Sequence, residues 1–329
     1  NQGDYCVKEQ VLAALKAAGD YVSGEEISRG LQKSRAAVWQ WIEELRRDGY
    51  EIEASPRKGY RLLRSPDRLF PWEVAPYLTT AFVGRRIEYR PSVDSTNELA
   101  RSLARQGAAE GLVVLAEEQT AGRGRRGRAW RSPWGKGVWS TTLLRPAVSP
   151  YEAPKMALVA ALATAQAIEE ATGLAATVKW PNDVLVAGRK VCGILVEMEA
   201  ELELVRFLAV GIGVNANLTP EEIPPEARPY AGSLMTALGR PVDRRALCGA
   251  LLNRLEAEYL RWRREGFEAV LVELRRRTEM LGRPVRVFDG DGAWDGVARD
   301  IAADGALLVE AEGRVRPVYA AEVSVRPTT

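Results

Sequence analysis

The hydrophobic pattern of the chain changes near residues 64 and 280, and these two changes constrain the fold more than any other feature. Residues 5–64 combine short helical patterns with one hairpin pattern. Residues 70–280 alternate strand-like apolar runs with helical segments, and the remainder consists of short strands separated by Asp-Gly and Glu-Gly turns. We therefore predict an α+β multidomain protein whose domains span residues 1–64, 69–280 and 281–329.

The N-terminal segment carries the signals of a winged helix-turn-helix domain. Ser23 and Glu26 form a capping box for a short helix, and Ser34 is placed to cap a longer one. Residues 51–54 and 60–63 have strand character and flank a basic turn, so they would form the wing. DNA binding is the favoured interpretation, and a small protein–protein or dimerisation module is the alternative.

The outward face of the longer helix and the tip of the wing carry the side chains suited to DNA. Helix side chains would contact base edges, and wing side chains would contact phosphates. The net charge is only +2, from 46 basic and 44 acidic residues, so any basic surface must be local. The residues expected to contact DNA are Ser34, Arg35, Trp39, Gln40, Arg57 and Lys58.

The rest of the chain predicts a central mixed α/β domain after a linker at residues 65–68, and then a small SH3-like β-barrel. One long, buried helix should have Ser149 as its N-cap and Pro150 as its first residue, and it should end at Gly173. A second should cover residues 244–264. Predicted strands are residues 112–116, 141–144, 194–198 and 207–211 in the central domain, and 284–289, 294–299, 306–309 and 315–319 in the barrel.

The chain contains no histidine, which excludes Ser-His-Asp catalysis, imidazole acid–base chemistry and His-metal sites. The three cysteines, at positions 6, 192 and 248, are too far apart for a metal-type pair or a disulfide framework. The longest apolar stretch, within residues 156–168, is too short to span a bilayer. We therefore expect a cytoplasmic protein with no zinc, haem or membrane partner.

An arginine–glycine loop, residues 119–136, holds six basic residues and no acidic ones. Its glycines let the backbone approach a ligand, and its arginines supply planar forks for phosphate or carboxylate. The glycines at 122, 124 and 127 also match a dinucleotide-binding motif, but Pro133 and Gly135 oppose the helix that this motif opens. The sequence therefore predicts a mobile anion-binding loop that closes over its ligand.

Three further segments carry polar groups that have more than one interpretation. Lys179, at the end of an apolar strand before Trp180 and Pro181, is either an electrostatic clamp or a lysine that reaches the surface. Asp183 could hold Mg²⁺, orient Lys179 or close an Asx turn. Residues 94–97 either cap a helix or form a polar cradle for an amide or ureido group. Residues 211–217 end a strand with two amides, which either contact a nucleotide base or form a turn.

Together and in this order, these segments resemble the bifunctional biotin–protein ligase/biotin operon repressor family. The resemblance covers nearly the whole chain, and its most specific part is the arginine–glycine loop combined with Lys-Trp-Pro-Asn-Asp at residues 179–183. Trp39 stands where a small polar residue is expected, so no operator preference carries over. The matching pieces are the winged helix, residues 94–97, 119, 122–130, 179–183, 190–197 and 211–217, and the C-terminal barrel.

The resemblance implies a two-step reaction. The carboxylate of biotin attacks the α-phosphate of ATP and releases pyrophosphate, and a lysine of biotin carboxyl carrier protein then attacks the biotinyl-adenylate. The first nucleophile is already a carboxylate, so no histidine base is needed. The resemblance also implies Mg²⁺ with the ATP, a homodimer when the chain is loaded with biotinyl-adenylate, and binding of that dimer to operator DNA.

The site residues that the resemblance implies fall into three groups. Lys179, Arg125 and Asp183 would be catalytic, and Asp183 would also contact Mg²⁺. ATP or the adenylate would contact Trp130, Arg123, Arg126, Asn182, Lys190 and Asn215. Biotin would contact Ser95, Thr96, Asn97, Gln119, Arg123, Gly124, Arg125 and Lys179.

Two other functions compete with this hypothesis. A lipoate or octanoate ligase-type enzyme shares the catalytic architecture, but such relatives usually lack this form of the arginine–glycine loop and the winged helix. A ligand-sensing regulator could keep the fold without the activity, and it would bind DNA in response to a ligand without releasing pyrophosphate.

Overall fold

The structure, a computed structural model, describes residues 2–289, 292–320 and 323–327. The chain separates into two compact units, Asn1–Asp67 and Arg68–Thr329, and the boundary lies within the predicted linker. The predicted C-terminal domain is part of the second unit. None of the helices in the described ranges is both long enough and apolar enough to cross a membrane.

The first unit is the winged helix-turn-helix that the capping signals predict. The side chain of Ser23 accepts from the N–H of Glu26 at 3.0 Å, and the Glu26 carboxylate accepts from the N–H of Ser23 at 2.9 Å. Ser34 caps the third helix by accepting from the N–H of Ala37 at 3.2 Å. The elements are α1 (Gln2–Ala18), α2 (Gly24–Leu31), α3 (Arg35–Arg47), β1 (Glu51–Ser55) and β2 (Gly59–Arg64), and the two strands pair antiparallel.

The second unit begins with a seven-stranded mixed sheet and its helices. The strands lie in the order β3-β4-β5-β9-β8-β7-β6, with β3 and β4 parallel and every other pair antiparallel. The elements are α4 (Pro71–Val74), β3 (Ile87–Val93), α5 (Thr96–Arg105), β4 (Val113–Gln119), β5 (Gly137–Leu144), α6 (Lys155–Thr172), β6 (Ala176–Lys179), β7 (Asp183–Val186), β8 (Arg189–Glu201), β9 (Leu204–Asn215), α7 (Leu234–Leu238), α8 (Arg244–Glu265) and α9 (Phe267–Arg277).

The helices α5 and α6 cover opposite faces of this sheet. Asn97 of α5 lies against Gly211, while Thr164 of α6 hydrogen-bonds Cys192. Cys192 pairs with Val214, whose side chain points away from the face on which Gly211 lies, because neighbouring residues of a strand alternate between faces. The face that carries α5 is the one on which the polar segments of the sequence come together.

The predicted start of the long buried helix is wrong, and its predicted end is confirmed. Residues 149–154 form turns, and α6 begins at Lys155 rather than at Pro150. Pro154 explains the difference, because a proline four residues into a helix cannot donate to the carbonyl of Pro150 and its ring would clash with that carbonyl. Gly173 ends the helix with a φ of 75°, and its N–H donates to the carbonyl of Glu169 at 2.8 Å.

The C-terminal part is an antiparallel sheet in the strand order β13-β12-β11-β10-β14. The predicted turn at residues 290–291 lies outside the described residues, and closure into a barrel stays a prediction. The core side chains Val285, Val287, Ile301 and Leu307 are fully buried. The strands are β10 (Pro284–Asp289), β11 (Gly292–Ile301), β12 (Leu307–Ala311), β13 (Arg314–Val318) and β14 (Val323–Pro327).

A fully buried ion pair joins the sheet to α8. Arg244 Nη1 lies 2.9 Å from Glu117 Oε2 on β4, and both side chains are 0 % exposed. Arg244 also donates to the carbonyl of Gly137 at 3.1 Å, and Glu117 Oε1 accepts from the N–H of Leu69 at 2.8 Å. Such a pair is tolerated in a core only when its remaining polar atoms have hydrogen-bond partners, and these contacts supply such partners here.

Arg244→Met removes the cation and leaves the Glu117 carboxylate in the core without its charge partner. We expect the free energy of unfolding to fall by about 3–5 kcal/mol in urea denaturation. Arg254→Met on the same helix is the matched control, because the Arg254–Glu170 pair is 45 % and 46 % exposed. Its loss should change stability by less than about 1 kcal/mol. Equal effects of the two substitutions would contradict this account of α8.

Candidate functional site

A buried polar network surrounds the start of α5. Ser95, Thr96 and Asn97 are only 3–5 % exposed. The N–H and the hydroxyl of Thr96 donate to Gln119 Oε1 at 2.9 and 3.0 Å, and Gln119 Nε2 donates to Ser132 Oγ at 2.8 Å. The capping interpretation is wrong for the Ser95 side chain, which makes no hydrogen bond to the first turn of the helix. We call this buried polar cluster the cradle, and its role in binding a ligand stays a prediction.

Asn97 extends this network across the sheet. Its Nδ2 donates to Glu197 Oε2 at 2.8 Å and to the carbonyl of Leu195 at 3.3 Å. Thr141 Oγ1 donates to Asn97 Oδ1 at 2.6 Å and lies 2.8 Å from Thr96 Oγ1. The sequence hypothesis named neither Thr141 nor Glu197 as a site residue, although Glu197 is the last residue of the matching segment 190–197.

Three glycines of β8 and β9 form a floor without side chains beside the cradle, which we call the glycine floor (Gly193, Gly211 and Gly213). A Cβ at Gly211 would lie 3.0 Å from Asn97 Cγ, one at Gly213 would lie 2.5 Å from Trp130 Nε1, and one at Gly193 would lie 3.0 Å from the Trp130 ring. The ring of Trp130 therefore rests directly on the strand backbone. Trp130 Nε1 is buried and has no hydrogen-bond partner in the described part of the chain.

Lys190 and Asp183 lie at the edge of the glycine floor. Lys190 Nζ is 2.7 Å from Asp183 Oδ1 and 5.1 Å from the centroid of the Trp130 ring. A β-bulge places the lysine there: Val184 pairs with Cys192 and Leu185 with Lys190, so Val191 is left without a register partner. Because a bulge re-aims the side chains of its strand, Lys190 reaches the face on which Gly193 lies.

The arginines of the loop point in different directions. Arg125 Nη1 donates to Asn182 Oδ1 at 3.2 Å, and its Nη2 donates to the carbonyl of Ala320. Burial, and then the neighbouring Arg126, lower the pKa of Arg125. Arg123 instead donates to Glu98 Oε1 at 2.5 Å, and its side chain is 49 % exposed. The structure thus brings Arg125 to the hairpin that carries Asp183, and it leaves Arg123 turned outward.

Lys179 lies across the β6–β7 hairpin from Asp183. The two residues are register partners, so their side chains lie on the same face of the sheet. Lys179 is half-buried and lines a small cavity with Leu185, Glu279 and Arg283. Lys190, on the neighbouring strand β8, contacts Asp183 and the Trp130 ring beside the glycine floor.

The two amides at the end of β9 hold loop backbones in place. Asn215 Nδ2 donates to the carbonyl of Gly232 at 3.1 Å, and Asn217 exchanges hydrogen bonds of 2.9 and 2.8 Å with Val242. The turn interpretation therefore accounts for both side chains as they stand. Beside Gly232 a second cavity opens, which no sequence pattern indicates because its walls combine the β7–β8 hairpin with residues 220–237, far away in the chain. Its lining includes Val186, Arg189, Val191, Ile223, Ser233 and Thr236.

In the first unit, the side chains proposed for DNA contact are exposed. Ser34, Arg35 and Gln40 are exposed on α3, Trp39 is 57 % exposed, and Arg57 and Lys58 lie at the tip of the wing. Lys58 Nζ also lies 5.3 Å from the ring of Tyr21.

The described ranges contain no cluster of three or more His, Cys, Asp or Glu side chains that could hold a metal ion. Asp183 is the acidic side chain beside the glycine floor whose carboxylate could contact a cation, and it is paired with Lys190. A magnesium ion needs only one or two protein carboxylates when phosphates supply the remaining ligands. The residues present therefore fit a cation that arrives with a phosphate-bearing ligand.

Family models match the chain in the same three parts. The model described as the biotin/lipoate A/B protein ligase family matches residues 89–215, an HTH domain matches residues 7–61, and a biotin protein ligase C terminal domain matches residues 280–326. These matches define a ligase of the biotin/lipoate class that is joined to a helix-turn-helix domain.

Similar proteins of known name narrow the class. The bifunctional ligase/repressor BirA of Bacillus subtilis (strain 168) is 39 % identical over 318 residues, which cover 97 % of this chain and 98 % of that protein. BirA of Escherichia coli (strain K12) is 32 % identical, with 96 % of each chain covered. A biotin protein ligase from Aquifex aeolicus in complex with biotin and ATP has a TM-score of 0.65 at 29 % identity, covering 74 % of this chain and all of that one. The chain belongs to the BirA family of bifunctional biotin ligase/repressors.

Gly211→Ala tests whether the floor must stay free of side chains. The added Cβ would collide with the Asn97 amide, so we expect the free energy of unfolding to fall by about 1–3 kcal/mol in urea denaturation. Gly124→Ala is the control, because a Cβ there would meet only the Arg128 carbonyl oxygen at an ordinary 3.6 Å. A Gly211→Ala chain as stable as Gly124→Ala would show that the Asn97 side chain is not fixed in place.

Proposed function

We propose that this chain joins biotin to ATP, releases pyrophosphate, and passes biotin from biotinyl-5′-AMP to a lysine of a biotin carboxyl carrier protein. In its adenylate-loaded form it dimerises and represses transcription by binding operator DNA. The observation that carries the proposal is the buried polar cradle at Ser95, Thr96 and Asn97 beside the glycine floor, in a chain of this family. The cytoplasm, where ATP and DNA are both present, is the proposed location.

Biotin fits the cradle by its chemistry. Its ureido group needs both donors and acceptors, and the amides of Asn97 and Gln119 and the hydroxyls of Ser95 and Thr96 supply both kinds. Its ring system is compact and apolar elsewhere, and the glycine floor lets it lie against backbone. Asn97, Thr96 and Gln119 are held by their own hydrogen bonds, so the cradle is formed before the ligand arrives. Gly124 and Arg123 would complete the site when the loop closes.

Positive charge lies where the reacting groups would meet. Lys190 at the edge of the floor, Arg125 beside Asn182, and Lys179 opposite Asp183 would neutralise the biotin carboxylate and the α-phosphate oxygens. Lys190 has the most direct position, since it contacts the Trp130 ring. The carboxylate of biotin is itself the nucleophile, and the protein's task in this step is positioning and charge neutralisation.

Mg²⁺ would enter with ATP, and Asp183 would be its protein carboxylate. The ion would neutralise phosphate charge beyond what the arginines and lysines supply. Asp183 would then leave Lys190 free to contact the substrate oxygens. In the second step Asp183 is also the nearest candidate to take a proton from the incoming carrier lysine.

The adenosine would lie between Trp130 and the loops after β9. Trp130 presents a flat ring, and its buried indole N–H has no hydrogen-bond partner in the described part of the chain. A shift of this ring would expose the glycine floor to biotin, and the ring would then cover the adenine base. Asn215, which donates to the Gly232 carbonyl, would border this region, and Arg126 would approach it from the arginine–glycine loop. The cavity beside Gly232 has mostly apolar walls with Ser233 and Thr236 among them, which suits a purine ring with polar edges.

Operator binding would use the exposed face of α3 and the wing. Arg35, Trp39 and Gln40 would lie in the major groove, with Ser34 at the start of the helix near a phosphate. Arg57 and Lys58 would contact the backbone, so their loss should weaken binding to all DNA sequences alike. A two-fold dimer would bind two matching half-sites.

Incubation of the chain with biotin, ATP and Mg²⁺ tests the enzymatic proposal. Mass analysis should detect biotinyl-adenylate and, after addition of a carrier protein, a carrier heavier by one biotinyl group. Lipoate in place of biotin is the control for the competing ligase class. Adenylate formed from lipoate but not from biotin would overturn the proposal. Biotin-dependent DNA binding without pyrophosphate release would instead identify a regulator that lacks ligase activity.

Substitution of Lys190 and of Lys179 should lower the catalytic rate by different amounts. Lys190→Ala should lower kcat/KM for biotin-dependent pyrophosphate release by about 10²–10³-fold, because it removes a preorganised cation at the floor. Lys179→Ala should lower this kcat/KM by about tenfold or more. Lys33, an exposed lysine between α2 and α3, is the control, and Lys33→Ala should leave kcat/KM unchanged. Steady-state kinetics on the three variants decide the roles. Near-normal turnover of Lys190→Ala would remove this lysine from the reaction.

A further inference from the structure

Arg68, the first residue of the second unit, lies in a cage of aromatic rings. Its guanidinium carbon is 4.3 Å from the centroid of the Phe70 ring, 5.4 Å from that of Trp134 and 5.8 Å from that of Tyr89. Its Nη2 donates to the Tyr89 hydroxyl at 2.6 Å. Phe70 is itself stacked on Trp72 with 4.8 Å between ring centroids. A planar cation among aromatic faces is a favourable and directional contact.

One wall of this cage belongs to the arginine–glycine loop. Trp134 lies near the end of the loop, and its side chain is 46 % exposed although it is large and apolar. Arg68 is the cation that lies over this ring. No part of the proposed catalysis uses Trp134 or Arg68, so this contact needs another explanation.

Glu117 fixes the backbone on both sides of this contact, once through its carboxylate and once through its main-chain carbonyl. Its Oε1 accepts from the N–H of Leu69 at 2.8 Å, and its main-chain carbonyl accepts from the N–H of Gly135 at 3.0 Å. The residue after Arg68 and the residue after Trp134 are therefore held by the same residue. The Arg68–Trp134 contact joins two segments whose backbones are already fixed close together.

We propose that Arg68 is a positioning residue that couples closure of the arginine–glycine loop to the start of the second unit, directly after the linker. When biotinyl-adenylate orders the loop, Trp134 is held against Arg68. This contact then fixes the backbone that begins at Arg68. The inference rests on the proposed function, because it needs the adenylate as the ligand that orders the loop. It assigns Arg68 no contact with substrate.

A double-mutant cycle on adenylate release tests the coupling. Arg68→Ala and Trp134→Ala should each speed the release of biotinyl-adenylate by about fivefold, the scale of one cation–π contact. The double variant should release it no faster than either single variant. Arg68→Lys keeps the charge but loses the planar fork, so it should restore part of the retention. Arg64→Ala, an exposed arginine before the linker, is the control and should release adenylate at the wild-type rate.

The rate of protease cleavage in the linker gives a second test. If Arg68 only stabilised the fold, its loss would not change how ligand affects this rate. A protease that cuts before Asp67, an exposed residue, can act on wild type and on every variant, because none of the substitutions changes Asp67. Biotin with ATP and Mg²⁺ should slow this cut in wild type and in Arg64→Ala, and it should not slow the cut in Arg68→Ala or Trp134→Ala. Thermal unfolding of each variant without ligand shows whether it remains folded, and Trp134→Phe, which keeps an aromatic face, replaces Trp134→Ala if that variant does not fold.

The outcomes separate this inference from the proposed function. Wild-type chain that forms no adenylate overturns both. Two other outcomes overturn the coupling alone, provided that the wild-type chain forms adenylate. In the first, the effects of Arg68→Ala and Trp134→Ala on adenylate release multiply in the double variant. In the second, ligand still protects the linker from cleavage in Arg68→Ala.

Discussion

The Glu117 carboxylate is the buried charge around which the second unit is arranged. A carboxylate at 0 % exposure is costly to bury unless its oxygens are satisfied, and here they accept from Arg244 and from the N–H of Leu69. These contacts tie β4 to α8 and to the segment that enters the unit. The main chain of the same residue holds Gly135, so the end of the arginine–glycine loop starts from a fixed point. A loop that is anchored this way can move in its middle without losing its register on the sheet.

The site depends on three residues without side chains in β8 and β9, two inner strands of the sheet. Gly193, Gly211 and Gly213 are poor strand residues, since a glycine in a strand forgoes packing and costs conformational entropy. Their neighbours on the opposite face, Ile212 and Val214, are buried under the helices and keep the strands in place. One face of β8 and β9 thus supplies stability while the other supplies room. The Thr141 and Asn97 side chains border that room with hydrogen-bonding groups that are already fixed.

Local signals in the sequence predicted what local interactions decide. The capping serines of the first unit, the C-terminal end of α6, the extent of α8 and the strands β4, β5, β8, β9 and β10 to β13 follow from a few adjacent residues. So does the expectation that residues 94–97 form a cradle or a cap. Contacts between distant residues decided the rest. The position of Lys190 follows from a bulge in the pairing of β7 with β8, and the contact of Arg68 with Trp134 follows from a common anchor at Glu117. No pattern within either segment indicates such a contact.

The resting charges of the site are already paired, and this pairing has a consequence for the order of events. Lys190 is bound to Asp183, and Arg123 is bound to Glu98. An arriving carboxylate or phosphate must compete with these acidic side chains before it gains either cation. A ligand with one charge competes poorly at a partly exposed pair, whereas a phosphate chain with its cation can take Lys190 and offer Asp183 a new partner at once. Under the proposed function, closure of the loop would therefore depend on nucleotide and biotin together, because their combined charge would replace both pairs. A chain without histidine would then perform its chemistry by exchanging ion pairs rather than by moving protons on imidazole.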